Sequence, residues 1–140
     1  MLLRRWVPVA AWAAFIFLFS TSAFCADCTG SFLVPVLAWC FPGRSPEEIR
    51  LLHDAVRKLA HFTEYAILAI LWFRALRRGG WRLAAAQWMT FGAVTVYACS
   101  DEFHQSFVPN RTAAGMDVLI DMVGGATALL VLRWWYRVKA

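Results

Sequence analysis

Four long apolar runs, each separated from the next by a short polar stretch, limit this chain to a narrow set of folds. They cover residues 6–24, 59–76, 83–99 and 118–136. A helix needs roughly 17–25 mostly apolar residues to cross about 30 Å of hydrocarbon. The first, third and fourth runs meet that length. The second meets it only if its polar start, residues 58–64, lies against protein rather than lipid. Composition points the same way: 61% of the 140 residues are hydrophobic and eight are tryptophan, where soluble domains average about 45–50% apolar. A chain of this length holds one domain. The expected fold class is an all-α membrane protein, a four-transmembrane-helix bundle formed by residues 1–140 as a single unit.

Charge placement supports four crossings and orients them. Arg4, Arg5, Arg74, Arg77, Arg78, Arg82, Arg133, Arg137 and Lys139 then fall on one side, and no acid joins them. All nine acids fall in the opposite half, with Arg44, Arg50, Arg57, Lys58 and Arg111 as their basic company. The positive-inside rule places both termini in the cytoplasm of a multi-pass inner (plasma) membrane protein. The net charge of +5 is thus a topology signal. Nucleic-acid binding, which needs a soluble basic surface, is not expected.

Residues 25–58 form the longest connection, on the outer side. Within it, residues 31–41 are apolar but too short to cross, and read as an amphipathic or re-entrant piece held at the interface by Trp39. Ser45-Pro46-Glu47-Glu48 is a helix start: Ser45 caps, Pro46 suits the first position and Glu48 completes a capping box. Ile49, Leu52, Val56 and Leu59 recur at helical spacing, so an amphipathic helix is expected to run directly into the second span. Arg4-Arg5, an apolar run and Thr21-Ser22-Ala23 also resemble a signal peptide, although Phe24 suits a cleavage site at Ala26 poorly. Cys25, Cys28 and Cys40 lie on the outer side, where an oxidising compartment permits a disulfide. A fourth well-spaced zinc ligand is missing.

The unusual feature is a concentration of ionisable residues at the outer ends of spans two, three and four. On the second helix Lys58, His61, Glu64 and Tyr65 fall within an arc of about 120°, at about 100° per residue. After the third span, Asp101, Glu102 and Gln105 share a side if the helix continues, with His104 beside them. On the fourth, Asp117 and Asp121 stack one turn apart, and Arg111 lies in the preceding loop. A charged residue at a helix centre costs roughly 2.5–3.5 kcal/mol on insertion scales. Several on converging helices make sense if they face each other or a watered cavity. Ion pairing that merely ties the bundle together is the plainer alternative, but buried pairs contribute little net stability.

These residues resemble the VanZ-like family of small membrane proteins. The first matching block is Arg57-Lys58-Leu59-Ala60-His61-Phe62-Thr63-Glu64-Tyr65, with Leu68 following. The second runs from Ser100-Asp101-Glu102-Phe103-His104-Gln105 through Pro109-Asn110-Arg111, then Asp117-Val118-Leu119-Ile120-Asp121 and Gly124. The resemblance implies a four-helix membrane domain whose signature polar positions are Lys58, His61, Tyr65, Asp101, Glu102, Gln105, Arg111, Asp117 and Asp121. Arg57 stands where many relatives carry an acid, and Asp121 where many carry Asn. The family takes its name from a member linked to resistance against teicoplanin, a phenotype that the resemblance does not carry over.

Two functional classes follow, with a third as the plain alternative. The first is a cell-envelope protein that binds an anionic or lipid-linked envelope precursor, or a glycopeptide-type ligand, at the outer leaflet. Basic side chains and histidines would hold phosphate or carboxylate. The second is a membrane-embedded hydrolase or transferase using His61, His104 and the acids as proton donors and acceptors. No H-E-x-x-H motif and no activated nucleophile is present, and no cofactor is indicated. The third is an accessory subunit whose polar residues serve helix association alone. Membrane lipids are the expected surroundings in every case.

Overall fold

The computed structural model describes residues 2–21, 26–108 and 115–139, with backbone alone for residues 2 and 26–28. Among the described residues there are five helices and no strand: α1 (Leu2–Phe19), α2 (Ala26–Cys40), α3 (Pro46–Arg77), α4 (Leu83–Gln105) and α5 (Gly115–Val138). α3 is the spine. Its 32 residues run roughly 48 Å at 1.5 Å each, and it packs against every other helix, most extensively against α5.

The capping box at the start of α3 forms as its sequence implies. Glu48 N donates to Ser45 Oγ (3.2 Å), and the Ser45 backbone N–H donates to Glu48 Oε2 (2.8 Å). Arg44 adds an ion pair to Glu48 at 2.8 Å. The Ser45 backbone N–H, and next the Arg44 guanidinium, hold the exposed Glu48 carboxyl below its ordinary pKa. The amphipathic stretch then continues into the second apolar run without a break. α2 begins five residues before the expected apolar piece and carries Pro35 inside. Cys40 and Cys99 are free, exposed thiols; Cys25 and the Cys28 side chain lie outside the described residues.

The first apolar run is shorter as a helix than its hydropathy suggests. α1 stops at Phe19 rather than continuing to Phe24. Ser20 N reaches back to the carbonyls of Ile16 and Phe17, and Thr21 Oγ1 donates to the Leu18 carbonyl at 2.7 Å. Such local hydroxyl bonds compete with the helical ladder and end it. Two helices, α3 and α5, are long and apolar enough to cross a membrane. α1 spends its first turn on Arg4 and Arg5, and α4 ends in the polar Ser100–Gln105 stretch, so four crossings do not follow from length and hydropathy alone.

The packing faces explain the shape. On α3 the buried stripe is Tyr65, Leu68, Ala69, Phe73 and Leu76; on α4 it is Ala86, Thr90, Val94 and Ala98. On α5 it is Gly124, Gly125, Ala128 and Leu129. Small residues on α4 and α5 let backbones approach closely. The approach is tightest at Gly124, where an added Cβ would collide with the Phe62 carbonyl oxygen. Opposite these stripes, Trp88, Met89, Val96 and Phe103 on α4 and Leu119, Val123, Leu130 and Trp134 on α5 stand exposed. Apolar surface this continuous marks contact with lipid or another protein.

The charge partition is also spatial. Arg5 lies against Gly79 in the α3–α4 turn, and Arg77 sits 5.4 Å over the Tyr136 ring on α5. The start of α1, the α3–α4 turn and the end of α5 therefore share one basic end.

Candidate functional site

Each buried stripe becomes polar as it nears the opposite end. On α3 the apolar sequence Phe73, Ala69, Tyr65 leads to His61. On α4, Val94 and Ala98 lead to Asp101 and Gln105, both buried. On α5, Gly125 and Gly124 lead to Asp121, which is 2% exposed. The close helix packing thus delivers these side chains into one interior.

Two contacts organise that interior. Gln105 Nε2 donates to Asp101 Oδ2 at 2.8 Å, one turn along α4. His61 Nδ1 lies 3.5 Å from Asp121 Oδ1 across the α3–α5 interface. The second distance suits an ion pair, but neither atom achieves a hydrogen bond among the described residues. Tyr65 is fully buried beneath them, its ring 6.2 Å from that of Tyr97. Tyr97 OH donates to the Ala13 carbonyl at 2.6 Å, and Trp12 Nε1 donates to the Glu64 carbonyl at 2.9 Å. These two bonds fasten α1 to α4 and α3 beside the polar interior.

The interior opens into a cleft of about 220 Å³ between α1, α2, α3 and α4. One wall is polar and carries Arg57, His61, Glu64, Asp101 and Gln105. The other is apolar, with Ile16, Phe19, Leu33 and Val56. Phe19 and Val56 are exposed at the rim. Several buried polar atoms at or next to the cleft have no hydrogen-bond partner among the described residues: Ser20 Oγ, His61 Nδ1, Tyr65 OH, Asp101 Oδ1 and Asp121 Oδ1. Buried polar groups are otherwise nearly always satisfied, so their concentration here separates this region from ordinary core.

Of the residues expected from sequence, His61, Tyr65, Asp101, Gln105 and Asp121 come together, and Glu64 joins them at the cleft. Asp117 is half-buried one turn from Asp121, within electrostatic reach of His61. Glu102 is half-buried but does not line the cleft. His104 packs its ring 4.7 Å from Phe17, its Nδ1 buried without a partner among the described residues. Lys58 is exposed: it shares an arc with Tyr65 but lies two turns further out, about 10 Å along the axis. Arg111 lies outside the described residues. The cation that does reach the cleft is its sequence neighbour Arg57, which sequence reasoning treated only as a variation. Ser20 and Thr29 also line it, and nothing in the sequence links their distant positions to the cluster. Among the described residues no three His, Cys, Asp or Glu side chains group as metal ligands.

No curated protein and no solved structure matches the chain. A family model, VanZ/LLP1, matches residues 5–136, a stretch that takes in all three polar helix ends and most of α1 and α5. The chain belongs to the VanZ/LLP1 family.

Proposed function

We propose that this protein spans the inner membrane four times, with both termini in the cytoplasm, and binds an anionic, lipid-linked envelope precursor at its outer leaflet. The observation that carries the reading is the two-sided cleft. Its apolar wall suits an acyl or prenyl chain; its polar wall offers one guanidinium at Arg57 and buried acceptors at Asp101. A volume of about 220 Å³ suits a single sugar or phosphate ester. Arg57 takes the phosphate, since a guanidinium matches it bidentately, while Asp101 accepts from a sugar hydroxyl. The segregation of basic residues at the far end supports this orientation, and the exposed apolar faces support lipid as the outer solvent.

The test is a binding comparison in lipid nanodiscs among polyprenyl phosphate hexose, polyprenyl phosphate and neutral polyprenol. The wild type retains the first most strongly and the last least. Arg57→Ala weakens both phosphate-bearing probes about tenfold, the scale of one partly screened charge-assisted bond, and leaves polyprenol unchanged. Equal retention of polyprenol and its phosphate by the wild type would count against the reading.

A second reading, a membrane-embedded hydrolase or transferase acting on the same ligand, rests on the His61–Asp121 pair. A histidine oriented by a carboxylate is an acid–base arrangement. Turnover of the hexose probe, lost in His61→Gln while binding persists, would distinguish the enzyme from the binder.

A further inference from the structure

The basic end holds a second built feature. Arg74 and Arg77 in the last turn of α3 and Arg78 at its C-cap occupy positions i, i+3 and i+4, and so share a face. With Tyr136 of α5 they line a cleft of about 360 Å³. Arg77 is fixed there: Nη1 donates to the Trp81 carbonyl, and its guanidinium lies 5.4 Å over the Tyr136 ring. Its Nε is buried and has no acceptor among the described residues. None of the three guanidiniums pairs with a described carboxylate, and the described acids lie toward the other end of the bundle. The C-terminal end of α3 carries about half a negative charge, which three guanidiniums outweigh. Three guanidiniums border one space, and no described carboxylate fills it.

We propose that this cleft is a binding site for a phosphate group, presented by an anionic phospholipid headgroup of the surrounding leaflet. Arg74 and Arg78 close on the phosphate oxygens, while Tyr136 holds Arg77 in place between them. Basic pockets between membrane helices on the cytoplasmic side are suited to such headgroups. The inference rests on the reading that the chain is embedded in a bilayer. It does not depend on the outer cleft.

The full chain in neutral detergent is titrated with phosphatidylglycerol and, separately, phosphatidylcholine, and bound lipid is counted by native mass spectrometry. Phosphatidylglycerol is expected to be retained about tenfold more strongly, as several juxtamembrane arginines imply. The preference disappears in Arg74→Ala/Arg78→Ala. It persists in Arg82→Ala/Arg137→Ala, which removes the same charge from the same end. Absence of a preference, or its equal loss in both double variants, overturns the site. Excess inorganic phosphate identifies the source: displacement of the lipid at millimolar concentration means a soluble phosphate, and resistance means the headgroup, while either result upholds the phosphate chemistry. Carbonate extraction of membranes separates the two failures. A chain released by carbonate refutes the bilayer reading; one that stays and shows no lipid preference refutes this site alone.

Discussion

Gly124→Ala is expected to lower the stability of the bundle by about 2 kcal/mol and to abolish ligand retention at the outer cleft. Two opposing effects set that figure. Replacing a mid-helix glycine by alanine ordinarily gains about 1 kcal/mol in helix propensity. Here the new methyl would collide with the Phe62 carbonyl oxygen and lie 3.1 Å from the Phe62 Cα. Backbone cannot swing aside as a side chain can, so α5 must move off α3. Overpacking of this kind costs about 3 kcal/mol, and the clash wins. The movement also opens the adjacent His61–Asp121 contact, now 3.5 Å. Gly125→Ala is the internal control: its methyl would meet Val94 Cγ1 at 3.0 Å, a side-chain atom able to shift, so it should cost less. Thermal unfolding in detergent measures both. A stabilised Gly124→Ala variant would mean that α3 and α5 do not pack as described.

Asp101→Asn is expected to leave stability unchanged or raised while weakening the hexose probe roughly thirtyfold. Asp101 is 5% exposed, and its Oδ1 has no partner among the described residues. Among the described residues its hydrogen bond comes from neutral Gln105, and an asparagine oxygen accepts that bond equally well. Removing a buried charge that forms no ion pair among the described residues relieves desolvation. Losing a charge-assisted bond to a ligand hydroxyl costs about 2 kcal/mol, hence the thirtyfold. The effect exceeds that of Arg57→Ala because Arg57 is half-buried and solvent screens it. Polyprenyl phosphate without the sugar should bind Asp101→Asn as it binds the wild type. Parallel loss of stability and binding would assign Asp101 to helix association and favour the accessory-subunit alternative.

The helices were legible because their signals are local. The capping box, the unbroken passage from amphipathic stretch to apolar run, and the shared side of Asp101 and Gln105 all depend on residues within a turn of one another. The end of α1 was not legible from hydropathy, since the backbone bond of Ser20 to Phe17 and the Thr21 hydroxyl bond to Leu18 close the last turn where the residues remain largely apolar. Arc alone also misjudged Lys58: the cleft runs along the side of α3 that carries Val56, Arg57, Ala60, His61 and Glu64, and Lys58 is turned about 100° from Arg57. Arg57 was underweighted for the complementary reason. Its role depends on α1 and α2 folding over the start of α3, a long-range packing event that leaves no trace in local spacing. The cluster of His61, Tyr65, Asp101, Gln105 and Asp121 was legible because polar residues on largely apolar helices have few places to go except toward each other.

The most direct test of the outer cleft is photocrosslinking with a polyprenyl phosphate hexose that carries a diazirine on its first isoprene unit. The account predicts adducts on the apolar wall, at Phe19, Leu33 and Val56, competed away by unlabelled probe and lost in Asp101→Asn. Adducts spread over the exposed faces of α4 and α5, around Trp88, Val96 and Leu130, and unaffected by competitor, would contradict it.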